Sequence, residues 1–305
     1  MNTIEQATRR MEQLRRAGVD VPWGAVGSES PTRPAASPAP TSPLQPASAA
    51  APAPAPEDAP TRRSRTVELR LDHLGQQGYL VPGRERSQLE EEFRIIKRPL
   101  LKNARGEGAA PVARGNLIMV TSALPGEGKT YTALNLAISL AMELDHTVLL
   151  VDADVVRPAI LERLGLPPAK GLLDLLTTPE LDMSEVLLKT NIPKLTVLPA
   201  GFGANSVNTT ELLASAAMEQ LLDELATTYS DRIVIFDAPP LLPSTESRVL
   251  ATHLGQIVVV VEADHTPRAS VQQAFATLEP CPVVLSVLNK SRAKKTNTAY
   301  GYYAV

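Results

Sequence analysis

Hydrophobic residues in this chain gather in short runs, separated by stretches whose apolar positions recur every three or four residues. Leu117–Val120, Thr147–Val151, Leu195–Pro199, Arg232–Phe236, Gln256–Glu262 and Val283–Leu288 read as buried strands. Between them, helices are predicted from Thr130 onward, from about Pro158, over Gly171–Leu176, Met183–Lys189, Thr210–Ala226 and Pro267–Leu278. Strands that alternate with helices predict an α/β fold, a mostly parallel, doubly wound sheet covered on both faces.

The N-terminal part has a different texture. Thr3-Ile4-Glu5-Gln6 carries a capping-box signature, and Ile4, Ala7, Met11 and Leu14 follow at helical spacing before Gly18, so a short amphipathic helix is expected within residues 1–20. A helix of that length is marginal alone; it docks on a partner or another copy, or it frays. Residues 21–61 read as a linker, because residues 31–60 hold 10 of the 27 prolines among alanines and serines and cannot build a core. Disorder is expected there. Ser87-Gln88-Leu89-Glu90 is a second capping box and opens a predicted helix over 87–98 that Pro99 bends or ends. A core domain over 62–289 and a polar tail over 290–305 complete the expected organisation.

A hydrophobic fraction of 44% over 305 residues supports a sizeable core. Charge is uneven: residues 62–105 hold 11 Lys/Arg against 6 Asp/Glu, and residues 106–305 hold 14 against 21. The basic flank suits an acidic partner, a membrane surface or the protein's own core. Cys281 is the single cysteine, which excludes an internal disulfide and fits a reducing compartment. No run of about 18 apolar residues and no signal-peptide core is present, so neither a membrane span nor a standard export signal is expected.

The stretch Asn116–Leu136 concentrates the candidate chemistry. Apolar Leu117–Val120 leads into the loop Ser122–Gly128, and a helix with apolar Leu134, Ala137 and Ile138 follows. Strand, glycine-bearing loop and helix form a phosphate loop: a nucleoside triphosphate needs inward-facing amides, a cation at its β/γ-phosphates and a hydroxyl on Mg²⁺. Pro125, Gly126, Glu127, Gly128, Lys129, Thr130 and Tyr131 are the candidate nucleotide-binding residues. Ala123 stands where the first glycine of G-x-x-x-x-G-K-[ST] usually falls.

Two later strand ends carry acids. Val-Leu-Leu-Val-Asp152-Ala-Asp154 places two carboxylates two residues apart, and Ile233-Val-Ile-Phe236 ends in Asp237-Ala238-Pro239-Pro240. In open α/β sheets this C-terminal edge carries the ligand site, and a strand-end Asp is the residue type that holds magnesium. Each acid has an alternative reading as a helix cap or turn residue. With Gly-Lys-Thr they converge on one site, with Lys129, Asp152, Asp154 and Asp237 as candidate catalytic residues and Thr130, Asp152 and Asp237 as candidate metal ligands. Asn289 ends the last strand at the same edge, where it serves as an adenine contact or a turn residue. The four histidines show no metal-ligand spacing, and no hydrolase triad is visible.

The three acids, the proline before Gly-Glu-Gly-Lys-Thr and the C-terminal tyrosines together resemble one family. The chain is similar, over roughly residues 85–305, to the cytoplasmic bacterial tyrosine kinases that accompany exopolysaccharide synthesis and export, particularly the exosortase-associated tyrosine autokinase branch. The family's Walker A motif, of the deviant type, corresponds to Ser122–Thr130, its Walker A′ motif to Val148–Pro158 and its Walker B motif to Ile233–Pro239. Its tyrosine cluster corresponds to Tyr300, Tyr302 and Tyr303 as autophosphorylation sites. Its Glu-x-x-Arg-x-x-Arg oligomerisation motif falls on Glu91, Arg94 and Lys97, with lysine in place of the last arginine, an exchange that loses the forked guanidinium. Val156 stands where the family commonly has arginine, and Thr209–Ser215 lacks the family's proline.

The resemblance implies an ATP- and Mg²⁺-dependent protein tyrosine autokinase that phosphorylates its tyrosine cluster between subunits and regulates polysaccharide polymerisation and export. It implies that Asp154 orients or deprotonates the acceptor tyrosine. It further implies self-assembly, an inner-membrane chain-length or co-polymerase protein as activator, a cognate tyrosine phosphatase, no nucleic-acid partner, and a cytoplasmic location at the inner membrane. From Asn289 to Tyr300 is about 11 residues, up to roughly 35 Å extended, so length permits reaching either its own site or a neighbour's. Two other classes use the same loop: a partition- or septum-type ATPase that switches between monomer and dimer, and a nucleotide-dependent scaffold. The tyrosines also read as a terminal patch packed on the body.

Overall fold

The structure is a computed structural model that describes residues 64–83, 87–202, 209–228 and 231–292. The expected N-terminal helix, the Pro/Ala linker and the tyrosine cluster lie outside the described residues. The strands are β1 (Arg65–Val67), β2 (Leu117–Ser122), β3 (Thr147–Asp152), β4 (Leu188–Thr190), β5 (Leu195–Leu198), β6 (Arg232–Asp237), β7 (Gln256–Glu262) and β8 (Val284–Asn289), and the six apolar runs supply all but β1 and β4. They make one sheet in the order β1-β4-β5-β3-β6-β2-β7-β8. Among the described residues only the β4–β5 pair is antiparallel.

Period-two alternation sends successive side chains to opposite faces, and each face is covered. Ile118, Val120, Leu150, Ile235 and Val258 pack with Leu134 and Ile138 of the helix Lys129–Ala141 and with Phe93 and Leu100 of the helix Gln88–Ala104. On the other face Met119, Leu149, Val151, Phe236 and Val259 meet Met218, Leu222 and Leu225 of the helix Ala216–Thr227. Lys129–Ala141 is buried from Thr132 to its end. That is why its sequence is apolar on all sides rather than on one stripe.

Several expectations need correction. The helix expected to bend or stop at Pro99 runs through it from Gln88 to Ala104, capped by Ser87, whose Oγ accepts from the Glu90 amide at 3.1 Å. Pro99 and Ile95 both face solvent, so water can take the carbonyl that proline leaves unpaired, while buried Leu100 and Leu101 hold the last turns on the core. The single helix expected over Thr210–Ala226 is two, Thr209–Leu213 and Ala216–Thr227, because Ser215 accepts from the Met218 amide and starts a new cap. Met183–Lys189 is helical only to Val186; Leu188 and Lys189 belong to β4. β1, β4 and the helix Thr245–Ala251 were not anticipated.

The segment 68–83 is bound to the core. Leu69, Leu74, Tyr79 and Leu80 are buried, Asn191 exchanges two hydrogen bonds with the Leu69 backbone, and the Leu80 amide donates to Asn135 Oδ1 at 2.7 Å. Among the described residues no helix is long and apolar enough to cross a membrane.

Candidate active site

β2 delivers the chain into the loop Ala123–Gly128, and the helix beginning at Lys129 carries it away. Gly126 and Gly128 have φ of +89° and +98°, the left-handed region that glycine alone enters at little cost. A Cβ on Gly128 would also stand 2.1 Å from the Asn289 amide nitrogen. Ala123, by contrast, is fully buried and has no positive φ, so its methyl group fills core space and the absent first glycine costs nothing.

The loop is braced from the β7–β8 side. Asn289 Nδ2 donates to the Glu127 carbonyl at 2.8 Å, and Lys290 Nζ donates to the Gly126 carbonyl at 2.8 Å while pairing with Glu262 at 2.9 Å. Glu127 points its side chain away from any phosphate position: it accepts from the Leu124 amide at 2.6 Å and from the Thr266 hydroxyl. The carbonyls on the outer side of the loop are thereby occupied, which holds the loop's backbone in one conformation. Sequence reading missed Lys290, Glu262 and Thr266, which are remote in the chain and match no motif. Pro125 is exposed on the loop.

Lys129 Nζ lies 2.7 Å from Asp154 Oδ2, 3.9 Å from Asp237 Oδ1 and 3.5 Å from the Thr130 hydroxyl. Burial works against its charge, but Asp237, Asp154 and Asp152 outweigh that and raise its pKa, so it stays an ammonium. Asp154 is held on its other oxygen by the Arg157 amide at 3.1 Å. Asp152 and Asp237 are direct register partners at the ends of β3 and β6. Asp152 Oδ2 accepts from the amides of Ala159 and Ile160, at 3.1 and 3.0 Å; its Oδ1 has no hydrogen-bond partner. Asp237 is fully buried with neither oxygen in a well-formed hydrogen bond, although the nearby Thr130 hydroxyl eases its ionisation. Burial, and for Asp152 the neighbouring Asp237 charge, push the two carboxyls up to about 7 and about 6.

Unsatisfied carboxylate oxygens beside a hydroxyl suit a hard divalent cation. Among the described residues no three His, Cys, Asp or Glu side chains form a self-sufficient metal cage. Magnesium at a phosphate site needs only one or two carboxylates plus the substrate's own oxygens, so Thr130, Asp152 and Asp237 fit that role.

Other predicted residues lie elsewhere. Tyr131 packs on Tyr79, ring centroids 5.3 Å apart, and donates to the Gly78 carbonyl at 2.8 Å, so its side chain pins segment 68–83 to the loop helix. Glu91 and Arg94 pair at 2.7 Å on the outer face of their helix. Lys97 turns inward: it is 6% exposed, donates to the Ser139 carbonyl at 2.6 Å and pairs with Glu143 at 2.8 Å.

A mostly parallel sheet with a glycine-bearing loop after β2 and acids ending the next two strands on one side, β6 and β3, defines a P-loop nucleotide-binding domain. An AAA domain family model matches residues 115–282. The chain is 33% identical to the tyrosine-protein kinase YwqD of Bacillus subtilis over 188 residues, 61% of this chain and 76% of that protein. It is 31% identical to the succinoglycan biosynthesis transport protein ExoP of Rhizobium meliloti, over 59% of this chain and 23% of that longer protein. The crystal structure of the VpsO kinase domain superposes with a TM-score of 0.51 at 31% identity, covering 67% of this chain and all of that one. The chain belongs to the bacterial tyrosine kinase family, within the AAA-domain P-loop proteins.

Proposed function

We propose that this chain is an ATP-dependent protein tyrosine autokinase that phosphorylates Tyr300, Tyr302 and Tyr303 of a second copy. The observation that carries the reading is the cluster in which Lys129 meets Asp154 at 2.7 Å beside the register pair Asp152 and Asp237. A cation for the phosphates, a hydroxyl and two carboxylates for a metal, and a further carboxylate within reach are what phosphoryl transfer to an alcohol requires.

In this reading the Gly126–Thr130 amides cradle the β/γ-phosphates and Lys129 neutralises them. Magnesium, held by Thr130, Asp152 and Asp237 directly or through water, supplies charge neutralisation on the phosphate oxygens. Nucleotide binding gives Lys129 new anionic partners, which frees Asp154 to orient and deprotonate the tyrosine hydroxyl. Asn289 serves adenine while its amide nitrogen braces the loop.

The name of one relative, the succinoglycan biosynthesis transport protein ExoP, supports a role in polysaccharide synthesis and export, which in this reading is regulated by phosphorylation of the tail. Each phosphate adds about −1.5 to −2 charge beside Lys290, Arg292, Lys294 and Lys295, which loosens an assembly whose tails occupy acidic sites. Glu91 and Arg94 are the proposed assembly contacts, with Lys97 supporting their helix from inside. An inner-membrane co-polymerase protein as activator, a tyrosine phosphatase and a peripheral membrane position complete the proposal. Incubation of purified protein with Mg-ATP and phosphopeptide mapping tests it: phosphate on the 300–303 segment is expected, and phosphate nowhere in that segment refutes it.

A further inference from the structure

Thr130 and Asp152 stand on different supports. Thr130 belongs to the first turn of the helix Lys129–Ala141, whereas Asp152 ends β3 and is held by the Ala159 and Ile160 amides, where the helix Ile160–Leu164 begins. Because β6 runs between β3 and β2, the two residues lie on opposite sides of Asp237. Magnesium demands near-ideal octahedral geometry at about 2.0–2.1 Å, so its ligands must keep a fixed spacing.

Tyr79, which no motif marks, meets both supports. Its ring lies on that of Tyr131, the residue after Thr130, with centroids 5.3 Å apart and planes tilted by 38°, within the range of a favourable aromatic pair. On its other side stands Arg163, from the helix Ile160–Leu164. Burial raises the pKa of the phenol and the guanidinium works against that, donating a hydrogen bond to the hydroxyl. At 8% exposure the ring has no room to swing away.

The backbone around Tyr79 is fixed as well. Gly78, at φ +83°, turns the chain out of the helix Leu71–Gln76, and the Tyr79 amide donates back to the Leu74 carbonyl at 3.0 Å. The Tyr131 hydroxyl donates to the Gly78 carbonyl, and Asn135 takes the Leu80 amide on Oδ1 while its Nδ2 donates to the Tyr131 carbonyl at 2.9 Å. These polar contacts fall on the first two turns of the loop helix, the part next to Thr130.

We propose that Tyr79 is a positioning residue of the phosphoryl-transfer site: wedged between Tyr131 and Arg163, it sets the separation of Thr130 and Asp152 and so the fit of the metal between them. The proposal rests on the metal-holding role given above to those two residues.

Calorimetric titration of the full chain with ADP, with and without saturating Mg²⁺, separates metal placement from phosphate binding. Affinity without the metal reads the loop amides and Lys129 and is expected to stay within about twofold in every variant. The gain in affinity on adding Mg²⁺ is expected to fall about threefold in Tyr79→Phe, which loses one hydrogen bond and keeps the ring, and at least about tenfold in Tyr79→Leu. Arg163→Met, at an exposed position, is expected to match Tyr79→Phe, and the double variant to lose no more than either single one. Arg163→Lys is expected to recover part of the gain. Folded Tyr79→Phe and Tyr79→Leu proteins that melt earlier yet keep the full Mg²⁺ gain overturn the proposal and leave the kinase reading intact. No Mg²⁺ gain in the unsubstituted protein removes the metal-holding reading along with it.

Discussion

Asp152 and Asp237 face each other in register at the ends of adjacent parallel strands, and three of their four oxygens have no hydrogen-bond partner in the described structure. Two carboxylates so placed repel, and both are buried. The site is therefore expected to be a source of instability until a divalent cation and a nucleotide fill it.

That arrangement fixes a pH dependence. Both carboxyls titrate above their free value, near about 7 and about 6. Between the free and folded values the folded protein binds more protons than the unfolded chain, so metal-free stability falls as pH rises through about 4 to 7 and levels off above. Asp237→Asn removes the charge and is expected to raise the metal-free melting temperature by several degrees at about pH 8, with little change near pH 4, while abolishing activity; the shift is worth about 1.4 kcal/mol per pKa unit. Thermal melts of both proteins across that range check it. Equal melting temperatures for the two at every pH contradict it.

Gly128 is the loop position least able to accept a side chain. Gly128→Ala adds left-handed strain and drives a methyl group into Asn289. A strain of about 1–3 kcal/mol corresponds to roughly a five- to 150-fold loss of ATP affinity. Calorimetric titration with Mg-ATP measures it, and Asn289→Gly combined with Gly128→Ala is expected to recover only the steric part.

Lys290 is expected to act on the loop rather than on the nucleotide. Its ammonium is nearly half exposed, so the lost hydrogen bond to Gly126 is discounted to about 1 kcal/mol, a roughly fivefold rise in the KM for ATP in Lys290→Ala. kcat is expected to change less. Lys290→Arg, which can still donate to the carbonyl, is expected to restore most of the effect.

Lys97 contributes to stability through its own chain. Lys97→Ala strips the partner from Glu143 and the Ser139 carbonyl and opens space beneath the helix Gln88–Ala104. A loss of about 1–3 kcal/mol in urea unfolding is expected, with Lys97→Met costing less because it refills the space.

Much of this site is legible in the sequence. The four central strands are continuous apolar runs whose ends carry the loop and the acids, and buried parallel strands leave that mark in sequence. β1 and β4 are three residues each, too short for alternation to register, and they exist because β4 pairs with β5 on one side and with β1 on the other. Pro99 misled because a local rule for helix ends was overridden by Leu100 and Leu101 packing beneath it. The brace on the phosphate loop was invisible for another reason: Glu127, Thr266 and Lys290 are brought together by the topology of β2, β7 and β8, not by spacing. Nor does a run reading Glu-x-x-Arg-x-x-Lys reveal that its lysine turns inward while its arginine stays at the surface.

Phosphotyrosine mapping by mass spectrometry, on wild-type, Lys129→Met and Asp154→Asn proteins after incubation with Mg-ATP, addresses the central claim most directly. Phosphate on Tyr300, Tyr302 or Tyr303 in wild type, lost in Lys129→Met and strongly reduced in Asp154→Asn, is the predicted result. Undiminished phosphorylation of the tail in Lys129→Met would contradict it.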